Sequence, residues 1–232
     1  MSTLEELKKE VADIFRFTWQ WEDTASVPAP EDLRLNANHA KRLASATVLY
    51  ADIDGSTDMV QRLSWEIAAE VYRAYLRCAA RIIRDEGGVI TAYDGDRVMA
   101  IFVGDRKNTQ ATTAALKING AVVDAIRPAF ASQYPHIDFT LQHRVGIDTS
   151  EIHAARVGVR GDTDIVWVGR AANYAAKLCN LKNRSLWITD SVYSKILPDA
   201  KTSSGVDMWT IEYWDAHPST FVYGSNYRWT KF

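Results

Sequence analysis

A chain of 232 residues, 47% of them hydrophobic, can bury one sizeable core, and one compact α/β domain with extensions is the simplest partition. Its formal net charge of -2 argues against non-specific nucleic-acid binding, which runs on basic charge, but leaves room for a phosphate-bearing substrate wherever metal ions supply positive charge locally. No run of 18 or more apolar residues occurs, so no membrane span is expected, and Cys78 and Cys179, each in a helix-like segment without a close partner, read as buried free thiols.

Residues 1–45 read as a preface to the main domain at 46–232. The opening MSTLEELKKEVADIF carries early acidic residues and no apolar stretch with a cleavage site. It predicts an amphipathic helix over residues 3–16, not a signal peptide, and with the free thiols it points to the cytoplasm. The prolines of TASVPAPEDL then mark an extended connector. The run ATVLYADI, residues 46–53, is apolar and β-rich and predicts a buried strand. After a GST turn, Leu63, Ile67, Val71, Cys78 and Ile82 recur at helical spacing up to Gly87 and Gly88. The strands VITAY and RVMAIFV follow, joined by a DGD turn at residues 94–96.

A second helix is predicted over residues 109–127, with Pro128 ending it. Strands are expected at 138–148 and 151–158, then a loop GVRGDTD, a short strand IVWV and, after Gly169, the helix RAANYAAKLCNL. Short strands in SLWITD, MWTIEYW and TFVYGSN alternate with one short helix near residues 190–196. The order is β-α-β-β-α-β followed by an α/β extension, the ferredoxin-like or split βαβ pattern.

In that topology the first strand lies mid-sheet beside the hairpin. Asp52, closing the strand, and Asp96, in the hairpin turn, therefore meet at one sheet edge. Two carboxylates suit a pair of hard divalent cations serving a triphosphate, with phosphate, water and the Ile53 carbonyl as further ligands. Gly55, Ser56 and Thr57 precede a helix whose free N–H groups favour a phosphate. A plainer reading makes Asp54 and Asp94 turn formers and Ser56 or Thr57 a helix cap. It fits Asp52 less well, because a carboxylate ending an apolar strand is costly unless paired or metal-bound. Farther on, Asn173 and Lys177 share a face of an alanine-rich helix. A lysine there can neutralise charge building on a phosphorus and an asparagine can hold a ribose oxygen. An ordinary amphipathic helix with a solvated lysine accounts for the same spacing.

Together, TVLYADIDGST, GGVITAYDGDRVMAIF and VWVGRAANYAAKL resemble, in order and spacing, the class III adenylate and guanylate cyclase domain over about residues 45–190. The resemblance implies that Asp52 and Asp96 bind two metal ions, Mn²⁺ or Mg²⁺, that the Asn173 position orients the ribose, and that the Lys177 position, usually arginine, stabilises the transition state. It also implies a head-to-tail homodimer with composite sites, the aspartates from one chain and Asn173 and Lys177 from its partner. The ribose 3′-oxygen would attack the α-phosphorus and expel pyrophosphate.

Departures from the family pattern carry information. Ala92 stands where adenylate cyclases have a base-reading lysine, and Val166 where they have a polar base reader. Lys177 keeps the charge of the usual arginine without its bidentate fork, and the family's triphosphate lysine has no evident counterpart. With these departures the strings resemble the pyrimidine cyclases of the Pycsar anti-phage system, whose cyclic CMP or cyclic UMP acts on a separate effector. Tyr50 shares the strand face of Asp52 and can pack on a base; Arg97 can donate to a pyrimidine O2 or bind phosphate. A core aromatic and a surface or dimer ion pair are their plainer roles. The expected substrate is UTP, with CTP the alternative, then an adenylate cyclase that reads its base differently. A catalytically silent cyclase-like domain is a reading of another kind, and on it an Asp96→Asn change would be harmless. A polymerase-like palm is disfavoured by the absence of basic bias and of thumb or finger domains.

Overall fold

The computed structural model describes residues 3–35, 38–159, 162–217 and 220–231. Helix α1 (Leu4–Arg16) starts in a capping box. The Thr3 hydroxyl accepts from the Glu6 N–H, and the Glu6 carboxylate accepts from the Thr3 N–H. None of its residues is buried, and Leu4, Leu7, Val11 and Ile14 are exposed. Strand β1 (Gln20–Asp23) pairs in parallel with the start of β2 (His39–Asp54). The short α2 (Ser56–Arg62) and long α3 (Trp65–Asp85) lead to the hairpin of β3 (Val89–Asp94) and β4 (Arg97–Phe102).

Next, α4 (Lys107–Ala121) continues through a π turn (Val122–Ile126) into α5 (Arg127–Gln133). The long strand β5 (Gln142–Val159) and β6 (Asp162–Val168) pair antiparallel and deliver the chain to α6 (Arg170–Leu178). The remaining elements are β7 (Leu186–Thr189), α7 (Asp190–Tyr193), α8 (Pro198–Lys201), the two-residue strands β8 (Thr202–Ser203) and β9 (Val206–Asp207), β10 (Thr210–Tyr213) and β11 (Phe221–Ser225).

The sheet order β10-β11-β7-β5-β2-β4-β3 contains the ferredoxin-like four, β5-β2-β4-β3, with β2 inside and the extension added beyond β5. Alternation along β2 divides its side chains between two faces. Leu49, Ala51 and Ile53 enter the larger core, together with residues of α3 and α4 such as Tyr75, Ile83 and Leu116. Val48 and the partly buried Tyr50 face a second cluster built with Ala171, Ala172 and Ala175 of α6. The small alanines let α6 lie close on the sheet, and at Gly146 of β5 an added Cβ would come within 2.2 Å of the Ala175 carbonyl oxygen.

Several boundaries differ from expectation. Strand β2 begins at His39 because its early part finds polar cross-strand partners. Arg42 Nε binds Asp23 at 2.6 Å, and the register shifts between Leu43 and Ala46. Thr149 and Ser150, expected to separate two strands, stay inside β5, where Thr149 Oγ1 donates to the Ala46 carbonyl at 3.0 Å. Residues 138–141 precede that strand. Pro128 does not end a helix. The π turn shifts the carbonyl ladder just before it, so that Pro128 falls in the first turn of α5, where its missing N–H has no partner to lose. The loop expected at GVRGDTD is strand at Gly158, Val159 and Asp162–Asp164, and Arg160 and Gly161 lie outside the described residues.

Candidate active site

Asp52 and Asp96 both lie at the end of the β2–β4 pairing, near enough for the Asp96 charge to act on the Asp52 carboxyl. Strand β3 ends at Asp94, which pairs with Arg97, so Gly95 and Asp96 form a two-residue turn, with Gly95 at φ 59°. The Asp52 side chain is 15% exposed and accepts from Arg97 Nη2 at 2.9 Å. Burial pushes the Asp52 carboxyl above its ordinary value. The Arg97 guanidinium opposes that shift and the neighbouring Asp96 adds to it. Asp96 Oδ2 is buried and has no hydrogen-bond partner among the described residues. A buried carboxylate oxygen without a donor, beside a second carboxylate, fits a hard cation that would face both. Among the described residues no cluster of three or more His, Cys, Asp or Glu gathers. Asp52 and Asp96 are the two carboxylates at this place, and Ile53, next in the chain to Asp52, pairs with His143 of β5 and buries its side chain in the larger core.

Arg97 also lies over the Tyr50 ring, 5.7 Å from its centroid, so Tyr50, Asp52 and Arg97 form one unit. Burial raises the Tyr50 phenol above its ordinary value, against the opposing Arg97 charge. The ion pair offered as a plain role for Arg97 is thus made with the candidate metal ligand itself. Ala92 pairs with Met99 in the adjacent hairpin and packs on the same cluster as Tyr50.

Gly55 takes φ 75° and opens α2, with no side-chain cap, so neither Ser56 nor Thr57 caps that helix end. An added Cβ at Gly55 would meet nothing within 4 Å; its requirement is conformational, not steric. Asp54 is not a simple turn former. It holds Arg144 Nη2 and Lys182 Nζ, each at 2.7 Å. These two basic residues were not singled out in the sequence, because nothing local marks a lysine and an arginine that only the sheet brings to β2.

The other candidates lie on α6 and β6. Asn173 is exposed, its Nδ2 donating weakly to the Gly169 carbonyl at 3.4 Å. Lys177 is exposed as well, with Nζ 3.3 Å from His217 Nε2. Val166, 40% exposed, alternates outward from Trp167, which packs inward. Among the described residues no hydrogen bond or ion pair joins Asn173 or Lys177 to Asp52 or Asp96, which leaves a carboxylate half and an α6 half without a direct polar link. The α6 half is anchored by Arg170, whose Nε lies 3.1 Å from Asp148 Oδ2 and whose Nη2 donates to the Thr149 carbonyl at 2.7 Å. Asp148 is fully buried and accepts from Thr189 Oγ1 at 2.5 Å. Burial pushes its carboxyl up, and Thr189 and Arg170 oppose the shift. At the other end of α6, Cys179 is buried with Sγ 3.6 Å from the Tyr50 carbonyl oxygen.

No protein-family model matches the chain. Among solved structures, the adenylyl cyclase CyaB from P. aeruginosa superposes with a TM-score of 0.68 at 23% identity, covering 80% of this chain and 95% of that one. The guanylyl cyclase Cya2 gives 0.67 at 16% identity, covering 82% and 95%. The fold is therefore the class III nucleotide cyclase domain. Full-length relatives are closer in sequence. A protein of Burkholderia cepacia named uridylate cyclase is 56% identical over 99% of this chain and 100% of its own length. Uridylate cyclases of Xanthomonas perforans and Rhodovulum sp. (strain MB263) are 48% and 33% identical, each spanning at least 98% of both chains. The chain belongs to the uridylate cyclase family.

Proposed function

We propose that this protein converts UTP into 3′,5′-cyclic UMP and pyrophosphate. The observation that carries the reading is 56% identity, over essentially the whole length, to a protein named uridylate cyclase, on a chain that keeps Asp52 and a donor-free, buried Asp96 oxygen at one sheet edge. The O3′–Pα bond forms, the bond from Pα to the bridging oxygen breaks, pyrophosphate departs with that oxygen, and the 3′-hydroxyl proton is released. Asp52, Asp96 and the Ile53 carbonyl would hold two divalent ions, Mn²⁺ or Mg²⁺, which when bound neutralise charge on the triphosphate.

The rest of the work falls to the chain's own side chains. Gly55, Ser56 and Thr57 present backbone N–H groups to phosphate at the start of α2. Asn173 holds the ribose, and Lys177 meets the charge that grows on the α-phosphoryl oxygens. Because no hydrogen bond or ion pair among the described residues links Asn173 or Lys177 to the two carboxylates of the same chain, two copies complete each other in this reading: the carboxylates of one protomer face Asn173 and Lys177 of its partner. Tyr50 and Arg97 offer a pyrimidine an aromatic surface and a donor fork, and Ala92 and Val166 withhold the polar groups that an adenine would need. The catalytic unit takes in residues ahead of 46, because β2 runs unbroken from His39 and carries β1 on the same sheet; only α1 and the segments flanking β1 remain as a preface. The product serves as a second messenger in anti-phage defence, read by a separate effector. No helix among the described residues is long and apolar enough to cross a membrane.

The test is to incubate the purified protein with ATP, GTP, CTP and UTP in Mn²⁺ and in Mg²⁺, and to detect cyclic monophosphate by mass spectrometry. Cyclic UMP from UTP is expected. Cyclic CMP as the main product would move the base assignment to cytosine, and cyclic AMP would refute the pyrimidine reading.

A further inference from the structure

Lys177 does not project freely from α6. Its Nζ lies 3.3 Å from Nε2 of His217, forty residues farther along, in the turn between β10 and β11. An ammonium has only protons to offer, so Nε2 must present its lone pair and the ring proton must sit on Nδ1. Nδ1 in turn lies 3.4 Å from the Tyr174 hydroxyl, whose oxygen can accept that proton.

The imidazole is itself held on two sides. Its centroid is 4.6 Å from that of Tyr174 and 4.5 Å from that of Trp214. Trp214 is buried in a cluster with Leu178, Trp187 and Val222, which ties α6 to the C-terminal strands. The His217 N–H donates to the Trp214 carbonyl at 2.8 Å, and its carbonyl accepts from the Thr220 N–H at 2.8 Å. The acceptor facing Lys177 is therefore fixed by packed aromatic rings and by backbone, in a part of the chain that carries none of the other candidate residues.

We propose that His217 is a positioning residue for Lys177. A lysine carries its charge on a flexible stem and lacks the planar fork by which an arginine orients itself. The Nε2 lone pair of His217 restricts where the ammonium rests and aims it, while Tyr174 favours the tautomer that makes this possible. The proposal rests on Lys177 being the charge-stabilising group, and it gives the tryptophan-rich C-terminal part a role in that step.

The experiment is steady-state formation of cyclic UMP from UTP and Mn²⁺ by the full-length protein and by Lys177→Ala, His217→Ala, His217→Gln, His217→Asn and the double variant Lys177→Ala/His217→Ala. Melting temperature and molecular mass are measured for each. Lys177→Ala is expected to lose turnover. His217→Ala should lower kcat about tenfold with KM changed less than about twofold, the signature of an interaction made in the transition state. A glutamine carbonyl reaches the place of Nε2, so His217→Gln should recover most of the turnover. Asparagine reaches only the place of Nδ1 and should not. In the Lys177→Ala background, removing His217 should cost nothing further.

Unchanged kcat in His217→Ala beside an impaired Lys177→Ala would overturn the positioning role alone. A His217→Ala loss of equal size with and without Lys177 would do the same, because it would mark a packing effect. If Lys177→Ala turned over like the unaltered protein, the role of Lys177 would fall and this proposal with it. Should His217→Ala not fold, the glutamine–asparagine pair decides the matter.

Discussion

Lys177 and His143 show how a single side chain's surroundings set what it can do. Lys177 stands on the exposed face of α6, away from the core contacts of Leu178, so Lys177→Ala should leave the fold and the oligomeric mass intact. Its turnover should fall about 10²–10³-fold, the scale of losing one oxyanion-type stabiliser. Single-turnover kinetics beside a light-scattering mass would separate the two effects, and full activity in a folded variant would refute the role. His143 is the opposite case. It is buried on β5 opposite Ile53, its ring is 5.9 Å from Tyr75, and neither nitrogen has a partner among the described residues. Burial, with Arg127 and Arg144 adding, lowers it from 6.5 to about 3. Between those values the unfolded chain binds a proton that the folded chain refuses. The stability this ring contributes is complete above about pH 6.5 and declines as pH falls, by about 1.4 kcal/mol per unit. Denaturant midpoints at pH 7.5 and pH 5 should show that slope, and His143→Gln should flatten it; equal slopes in both proteins would sink the idea.

Helix α6 carries the ribose and phosphate groups of the proposed site, and its seat is unusually close. At Gly146 an added Cβ would stand 2.2 Å from the Ala175 carbonyl oxygen and 2.8 Å from Leu178 Cβ. Neither neighbour is the flexible tip of a long side chain, so Gly146→Ala should lift the helix. The expected cost is about 1–3 kcal/mol, read as a lower melting temperature, together with a loss of activity that Ala176→Ser, at a half-buried position on the same helix, would not show. The same element shows why the sequence was legible in part. The period of α6, the apolar run of β2 and the Asp-Gly-Asp turn are local signals, and they placed Asp52, Asp96, Asn173 and Lys177 on the right elements. Strand β1, the early half of β2 and the unbroken β5 were missed, because their polar residues are satisfied by distant strands, as Arg42 is by Asp23 and Glu151. Arg144, Lys182 and His217 were invisible for the same reason: each acquires its neighbour only when the sheet closes.

At the scale of the whole molecule, the separation of carboxylates and α6 residues makes a sharp prediction about assembly. Asp96→Asn and Lys177→Ala proteins should each be nearly inactive alone. Mixed under exchange, half of the dimers would be heterologous, each with one intact site, and about one quarter of the unaltered activity should return. No recovery on mixing, with exchange proven by mass, would show that each chain works alone. Cys179 closes α6 against the sheet, its thiol held between the Ala175 and Tyr50 carbonyls and pushed by burial up to about 12. A thiol so shielded and so rarely ionised reacts only when the helix leaves the sheet. Its rate of alkylation is therefore a clock for that opening, and a bound nucleotide that pins α6 in place would slow the clock without touching the sulfur.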